Sequence, residues 1–585
     1  MKNYSRILNK VFLVLSVALV STACDLDYLD TPPEHLIEAS NYFKTEEQLK
    51  AYVNGFYDML PEEEAYTDDA SSDNIIPLLV SDRVKGARIV PTASGSGGWS
   101  WGNLRTINFF LDNSSNVNDT DLELKYNAYA KFFRALFYYN KVKRFGDVPW
   151  YDHVLEAGDE DLYKPRDSRK LVMDNILSDI NNAIEYLSSE KKVNEITKYT
   201  ALILKARICL FEGTFRKYHE LGDYESFLTE AANAAEALIN SGVYQLYSNG
   251  DVNTSYRELF DMYNQTATET ILARDYNFDF IRHNVASLAT SPTNGSFGVP
   301  KDAVNSYLLK DGSRFTDISG YETIEFYDEM QNRDPRLTQT VAGPGYTAYL
   351  SDSPEIVDIK GTTTGYRVIK SISSKDQWGN KSSYNDIILF RYAEALLIFA
   401  EAKAELGTIT QIDLDKSINK LRDRVGMPHL TLVTANANPD VYLENMYPNV
   451  GAGANQGVIL EIRRERRIEL FMEGLRWDDL MRWKAGKKLE QPFFGIYFSG
   501  LGAYDFDGDG SADVYLHDGN TSGAPAGTPN LVNVNERKLT NGTSGNFTPF
   551  NQNVIFSEDK DYYYPIPSEE LLLNTNLVQN PRWSN

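Results

Sequence analysis

The 585 residues contain only two cysteines, Cys24 and Cys209, and six histidines at 35, 153, 219, 283, 429 and 517, none paired at metal-ligand spacing. A zinc-type centre has no ligand set, and a multi-disulfide scaffold is excluded. GxSxG, Walker, GxGxxG and HExxH motifs are all missing, so the common nucleophilic, nucleotide and zinc-protease chemistries have no sequence footing. Basic residues are outnumbered: 58 Lys and Arg stand against 82 Asp and Glu, a formal charge of −24. That excess opposes nucleic acid and anionic lipid headgroups, and permits a neutral or cationic ligand. Long hydrophobic runs are absent too. The longest, VFLVLSVALV at 11–20, falls short of the ~20 residues a membrane-spanning helix needs.

That run is instead the core of an export signal. Lys2, Arg6 and Lys10 precede it, small residues Ser21, Thr22 and Ala23 follow, and Cys24 comes next. A cysteine there is the mark of a bacterial lipoprotein: 1–23 is removed and the Cys24 thiol receives diacylglycerol. Ser21 departs from the Leu or Val commoner at that place; the alternative is a secreted chain with a chance cysteine after the cleavage site. Several acyl chains, at about 0.8 kcal/mol per buried CH₂, give a lasting anchor. Cys209, in the apolar stretch ARICLF, reads as a packed core thiol.

Helical periodicity is plentiful. Ala128, Phe132, Ala135, Tyr139 and Val142 form one stripe, and Ile176, Ile180, Ala183, Ile184 and Leu187 another, behind an N-cap at Ser168. Leu204, Ile208, Phe211 and Phe215 make a third; Ala231, Ala234, Ala235 and Leu238, stopped by Gly242, a fourth. Ile388, Tyr392, Ala395, Leu396 and Phe399 precede Gly407, and Leu414, Ile418 and Leu421 stop at Gly426. Paired helices with alanine at close approaches predict a mainly α fold, a tetratricopeptide-type helical-hairpin scaffold with minor β. Long polar, aromatic-rich stretches at 61–103, 243–387, 427–457 and 491–560 are loop-rich insertions, where recognition residues concentrate.

Six blocks carry a resemblance: AYAKFFRALFYYNKVKRFGDVPW (128–150), ITKYTALILKARICLFEG (196–213), ILFRYAEALLIFAEAKAELG (388–407), INKLRDRVGM (418–427), ILEIRRERRIELFMEGLRWDDLMRWKAGKKL (459–489) and YYYPIPSEELLLNTNLVQNP (562–581). Together, in this order, they resemble the SusD/RagB family of outer-membrane nutrient-binding lipoproteins. The resemblance implies one structural unit over 24–585, its N-terminal part about 24–330 and its C-terminal part about 331–585. It also implies a lid on a TonB-dependent outer-membrane transporter (SusC-like), passing oligosaccharide, or sometimes peptide, into it. The acidic segment after Cys24 is similar to the surface-export signal of such lipoproteins, which predicts an anchor facing the cell exterior.

Trp99 and Trp101, in ASGSGGWSWGN, are candidate platforms for sugar rings, with Arg83 and Asn103 as hydroxyl partners. The bland alternative makes one tryptophan a core plug. Trp378 and Tyr384 in KDQWGNKSSYND, and Phe278 in DYNFDFIRH, are further candidates. In YDFDGDGSADVYLHD, Asp505, Asp507, Asp509 and Asp513 recur as a nine-residue DxDxDGxxD loop that suits Ca²⁺, with Ser511 adding its carbonyl. Leu516 stands where an EF-hand has glutamate, so calcium there would brace a loop; a solvated acidic turn is the alternative. RRERRIELFMEGLRWDDLMRW (463–483) reads as an ion-paired structural helix, with Glu469 near Arg466, Glu473 near Arg476, and Trp477 and Trp483 in the core. The sequence thus predicts a non-catalytic surface lipoprotein that binds oligosaccharide. A peptide-binding member of the same family and a surface lipoprotein glycoside hydrolase are the rivals.

Overall fold

The computed structural model describes residues 42–265 and 268–583, so Cys24 and the export segment lie outside the described residues. The fold is mainly helical, 45% helix against 8% strand. Its frame consists of α1 (Glu46–Asn54), α2 (Gly102–Asn113), α3 (Thr120–Phe145), α4 (Arg169–Tyr186), α5 (Lys198–Tyr218), α6 (Tyr224–Asn240), α7 (Tyr392–Glu405), α8 (Ile418–Arg424), α9 (Gln456–Glu469) and α10 (Arg476–Arg482). α3 packs on α4, α5 on α6, α6 on α7, and α7 on α9.

Local chemistry starts these helices where the sequence marks them. Asp119 caps α3 by accepting from the Asp121 and Leu122 amides, Ser168 caps α4 from Leu171, and Thr197 forms a capping box with Thr200 on α5. The predicted stripes face inward: Ala128, Phe132, Ala135, Tyr139 and Val142 are buried, as are Leu204, Ile208, Phe211 and Phe215. Each such aliphatic or aromatic side chain contributes about 1.5–3 kcal/mol by leaving water. Gly213 on α5 lets α6 approach closely, since a Cβ there would meet the Leu228 side chain at 2.8 Å. Cys209 is buried among these residues as a free thiol.

Three expectations change. Ile388 lies in a strand: β2 (Ile387–Arg391) pairs antiparallel with β1 (Thr270–Arg274), Ala273 opposite Ile388, before α7 begins at Tyr392. Its apolar spacing fits a helix stripe as well as a strand end, and tertiary pairing decides. The helix through Leu414 breaks at Ser417, where ψ swings to −92°, and α8 follows. The block 463–483 is two helices, α9 and α10, parted by a turn with Met472 at φ +60° and Gly474 at φ +68°. The Asp69 carboxylate holds that turn by accepting from the Met472 amide at 2.7 Å.

A second apolar core lies around the start of β2 and the chain between 285 and 372, and a third beneath Leu443, Leu460, Leu480, Trp483 and Phe556. Over the second sits a small sheet. In it β3 (Gly502–Tyr504) pairs antiparallel with β4 (Val514–His517), and β4 parallel with β5 (Asn530–Asn533).

Candidate ligand-binding site

The segment before and into α2 sends alternate residues to two cavities. Trp99, Trp101, Gly102 and Leu104 line one of about 350 Å³, with Tyr151, Leu155 and Leu162 as apolar walls and Arg105, His153 and Glu570 as polar lining. Gly98, Ser100 and Asn103 line the other, of about 450 Å³, whose remaining walls include Arg83, Phe137, Asn140, Lys141, Lys143, Arg144, Trp477 and Tyr564. The two cavities therefore share one wall, residues 98–104.

The wall is fixed from behind. Trp99 is 2% exposed and wedged edge-on between Trp101, at 5.4 Å, and Phe145, at 4.8 Å. It is the plug, not a platform. Trp101 is half-buried, with Tyr151 edge-on at 5.8 Å and the Lys141 ammonium 4.9 Å over its ring. Lys141 Nζ donates to the Gly98 and Ser100 carbonyls at 2.6 and 2.5 Å, tying the wall to α3. Arg144 Nε donates to the Gly97 carbonyl at 2.7 Å. Gly98, at φ +88°, is required here: a Cβ would stand 2.8 Å from Arg144 Nε.

The expected grouping of both tryptophans with Arg83 and Asn103 is thus divided by the wall. Asn103 is exposed and lines the second cavity. Arg83 lines it too, but its guanidinium donates to Asp68 Oδ2 at 2.7 Å and to the Ser71 and Asp68 carbonyls, and it stacks on Trp477. Asp68 holds Arg83 above its usual range although burial opposes the charge. Lys141 and Arg144 were not singled out from the sequence. Their signal was present: Phe137, Asn140, Lys141 and Arg144 recur at helical spacing on one face of α3, beside the stripe that fills the core.

Of the other candidates, Phe278 and Tyr384 come together from distant positions, ring centroids 5.8 Å apart, with Tyr263 5.7 Å from Tyr384 and Phe280 90% exposed nearby in sequence. Trp378 stands apart from them. Its indole N–H donates to the Ser373 carbonyl, and the Arg367 guanidinium covers its ring at 4.7 Å.

The aspartate loop 505–513 connects β3 to β4. Carboxylate oxygens of Asp505, Asp507 and Asp513 lie within 4.8 Å of one another, a set fit for a hard cation. Asp509 is outside that set, its Oδ1 accepting from the Ser511 amide at 2.7 Å. Burial would raise Asp505, but the Gly508 and Gly510 amides bring it down, whereas burial and the neighbouring Asp507 and Asp505 push Asp513 up.

The arginine-rich block pairs differently from its sequence spacing. Glu469 meets Arg336, Arg391 and Arg424, at 3.2, 2.8 and 2.7 Å, and Glu473 meets Arg391 and Lys370. Arg466 and Arg476 turn to Asp479, at 2.9 Å, and Asp73, at 2.6 Å. The reason is burial: every residue from Gly457 to Glu469 is enclosed, so most partners come from surrounding elements, and the Arg464–Glu461 contact at 3.7 Å is the longer, local exception. Trp477 and Trp483 are buried as expected.

A sequence model of the SusD family matches residues 259–583, and the chain belongs to that family. A second model, described as starch-binding associating with outer membrane, matches residues 96–208, which include the wall, Lys141 and Arg144. The chain is 25% identical over 531 residues to a SusD-like protein of Formosa agariphila, covering 85% of this chain and 95% of the relative. It is 21% identical over 509 residues to a SusD-like protein of Bacteroides ovatus, covering 81% and 82%. Among solved structures it is similar to a SusD-like protein from Bacteroides fragilis, with TM-score 0.66, 20% identity and 94% and 98% coverage. A SusD-like carbohydrate binding protein of the same species gives TM-score 0.66, 20% identity and 92% and 99% coverage. No helix among the described residues is long and apolar enough to cross a membrane.

Proposed function

We propose that this chain is a lipid-anchored protein of the outer membrane, facing the cell exterior, that binds oligosaccharides without cleaving them and passes them to a TonB-dependent transporter. The observation that carries the reading is the wall at 98–104, lying within the segment matched by the starch-binding family description. It offers a half-buried indole, Trp101, above one cavity and the Asn103 amide above another. Aromatic faces take the C–H surface of a sugar ring and the polar rim takes its hydroxyls. A few such contacts give micromolar-to-millimolar affinity, about 4–8 kcal/mol, which suits cargo that must be released. The carboxylates of the arginine-rich block are held ionised by their partners, a poor state for a general acid. A leash on Cys24 keeps the binder beside its transporter at high effective concentration.

Isothermal titration of the mature chain against an oligosaccharide panel and a peptide pool tests binding. Saturable heats with oligosaccharides and no shortening of the chains are expected; peptide binding alone, or shortened products, would contradict the reading. Cys24→Ala is expected to move the protein from the membrane to the soluble fraction, and unchanged fractionation contradicts lipid anchoring.

A further inference from the structure

The cavity behind the wall, on the Asn103 side, carries an excess of positive charge in a strongly acidic chain. Four cations line it, Arg83, Lys141, Lys143 and Arg144, against two carboxylates, Asp68 and Asp478. The carboxylates are already taken: Asp68 pairs with Arg83 at 2.7 Å and Asp478 with Lys143 at 2.5 Å. Lys141 and Arg144 have no carboxylate partner among the described residues. Lys141 spends its ammonium on two backbone carbonyls. Arg144 donates through Nε alone; its two terminal nitrogens have no protein acceptor among the described residues, while Tyr564 fixes the guanidinium plane by stacking at 3.8 Å.

The last turn of a helix favours basic residues, and that accounts for Lys143 and Arg144 being there at all. It does not account for an oriented guanidinium with an unspent fork facing a cavity. Two larger cavities lean the opposite way. The one of about 770 Å³ sets Glu46, Glu47, Glu190 and Glu195 against three lysines, and the one of about 700 Å³ sets Glu258, Asp261 and Asp352 against Arg257.

We propose that the Arg144 guanidinium, with Lys141 beside it, receives an anionic group of the bound glycan, a uronate carboxylate or a sulfate ester, so that the cargo is an acidic oligosaccharide. This rests on the glycan-binding reading above and names its substrate class. Arginine's fork fits the planar or tetrahedral oxygens of such a group. The net charge of −24 does not prevent it, because exposed charges farther than about 8 Å are largely screened at physiological salt. The local electrostatics agree: burial and then repulsion from Arg144 push Lys141 down to about 7, and burial with Arg88 and Arg83 nearby lowers Arg144, a strain that a bound anion relieves. An anion held there would lie just across the wall from Trp101, leaving that indole for a neighbouring sugar ring.

Two matched pairs test this by titration calorimetry: oligogalacturonate against its methyl-esterified form, and a sulfated galacto-oligosaccharide against its desulfated form. At least one charged member is expected to bind about tenfold more tightly than its neutral partner, with affinity falling as salt rises. Which pair discriminates tells uronate from sulfate. Arg144→Gln is expected to abolish the discrimination, so that charged and neutral members of a pair bind alike, and Arg144→Lys to retain part of it. Equal or better binding of both neutral members overturns this inference and leaves the glycan reading intact. Failure of all four, in a chain that melts cooperatively, overturns both.

Discussion

Two sets of arginines in this molecule share a chemistry and differ in use. Around α9, Arg336, Arg391 and Arg424 converge on Glu469, Arg422 meets Glu465 at 3.0 Å, and Arg482 is bonded to both Glu401 and Asp479. Even Arg463, whose guanidinium nitrogens find no hydrogen-bond acceptor among the described residues, is enclosed by the rings of Tyr218, Tyr447 and Trp483 and lies 3.7 Å from Glu405. At the wall, Arg144 faces a cavity whose two carboxylates, Asp68 and Asp478, are already paired with Arg83 and Lys143. A guanidinium that the fold has paired is scaffold; one that the fold orients and leaves unpaired is available to something outside.

The largest expected effect comes from breaking the first set. Glu469→Gln leaves three buried guanidinium groups short of a carboxylate and should cost about 3–5 kcal/mol, read as a lower urea midpoint, or prevent folding outright. A loss below about 1 kcal/mol would mean the network is not structural. Trp101→Ala, on the other side of the comparison, should weaken oligosaccharide binding about tenfold or more. Its helical signature should persist by circular dichroism, since Trp99 still plugs the core beneath it. Unaltered affinity would remove Trp101 from the site.

Acid separates the two regions further. Burial alone would raise Glu401, but Arg482 and then Arg466 bring it from 4.5 to about 2. Because the folded-state value lies below the unfolded one, its stabilisation is whole above about pH 4.5 and drains as pH falls toward 2. Urea midpoints measured between pH 6 and pH 2 should decline across that window, and Glu401→Gln should flatten the decline. The smallest effect concerns calcium at 505–513. If the loop holds the ion, chelation lowers the melting temperature by a few degrees with helix content unchanged, and a curve indifferent to chelator removes the site.

Much of the scaffold is readable from periodicity, because the stripes on α4 and α6 alternate buried and exposed faces. α9 defeats that reading. It is buried on all sides, its charges meet residues as distant in sequence as Asp73 and Arg336, and local spacing does not reveal which acid meets which base. The ligand wall is legible in part. The glycines and tryptophans of 95–101 announce an aromatic loop, yet which indole faces outward depends on Phe145 and Tyr151, brought there by α3 and the chain after it. Helical spacing places Lys141 and Arg144 on one face with Phe137 and Asn140, but their lack of a carboxylate partner among the described residues is invisible in one dimension.

The most direct test is a crystal structure of the mature chain with a bound oligosaccharide identified by titration. A sugar ring against Trp101 and an acidic substituent within hydrogen-bond reach of the Arg144 terminal nitrogens are the predicted outcome. Ligand seated instead on the Phe278–Tyr384 aromatic cluster, with both faces of the 98–104 wall empty, would contradict the account.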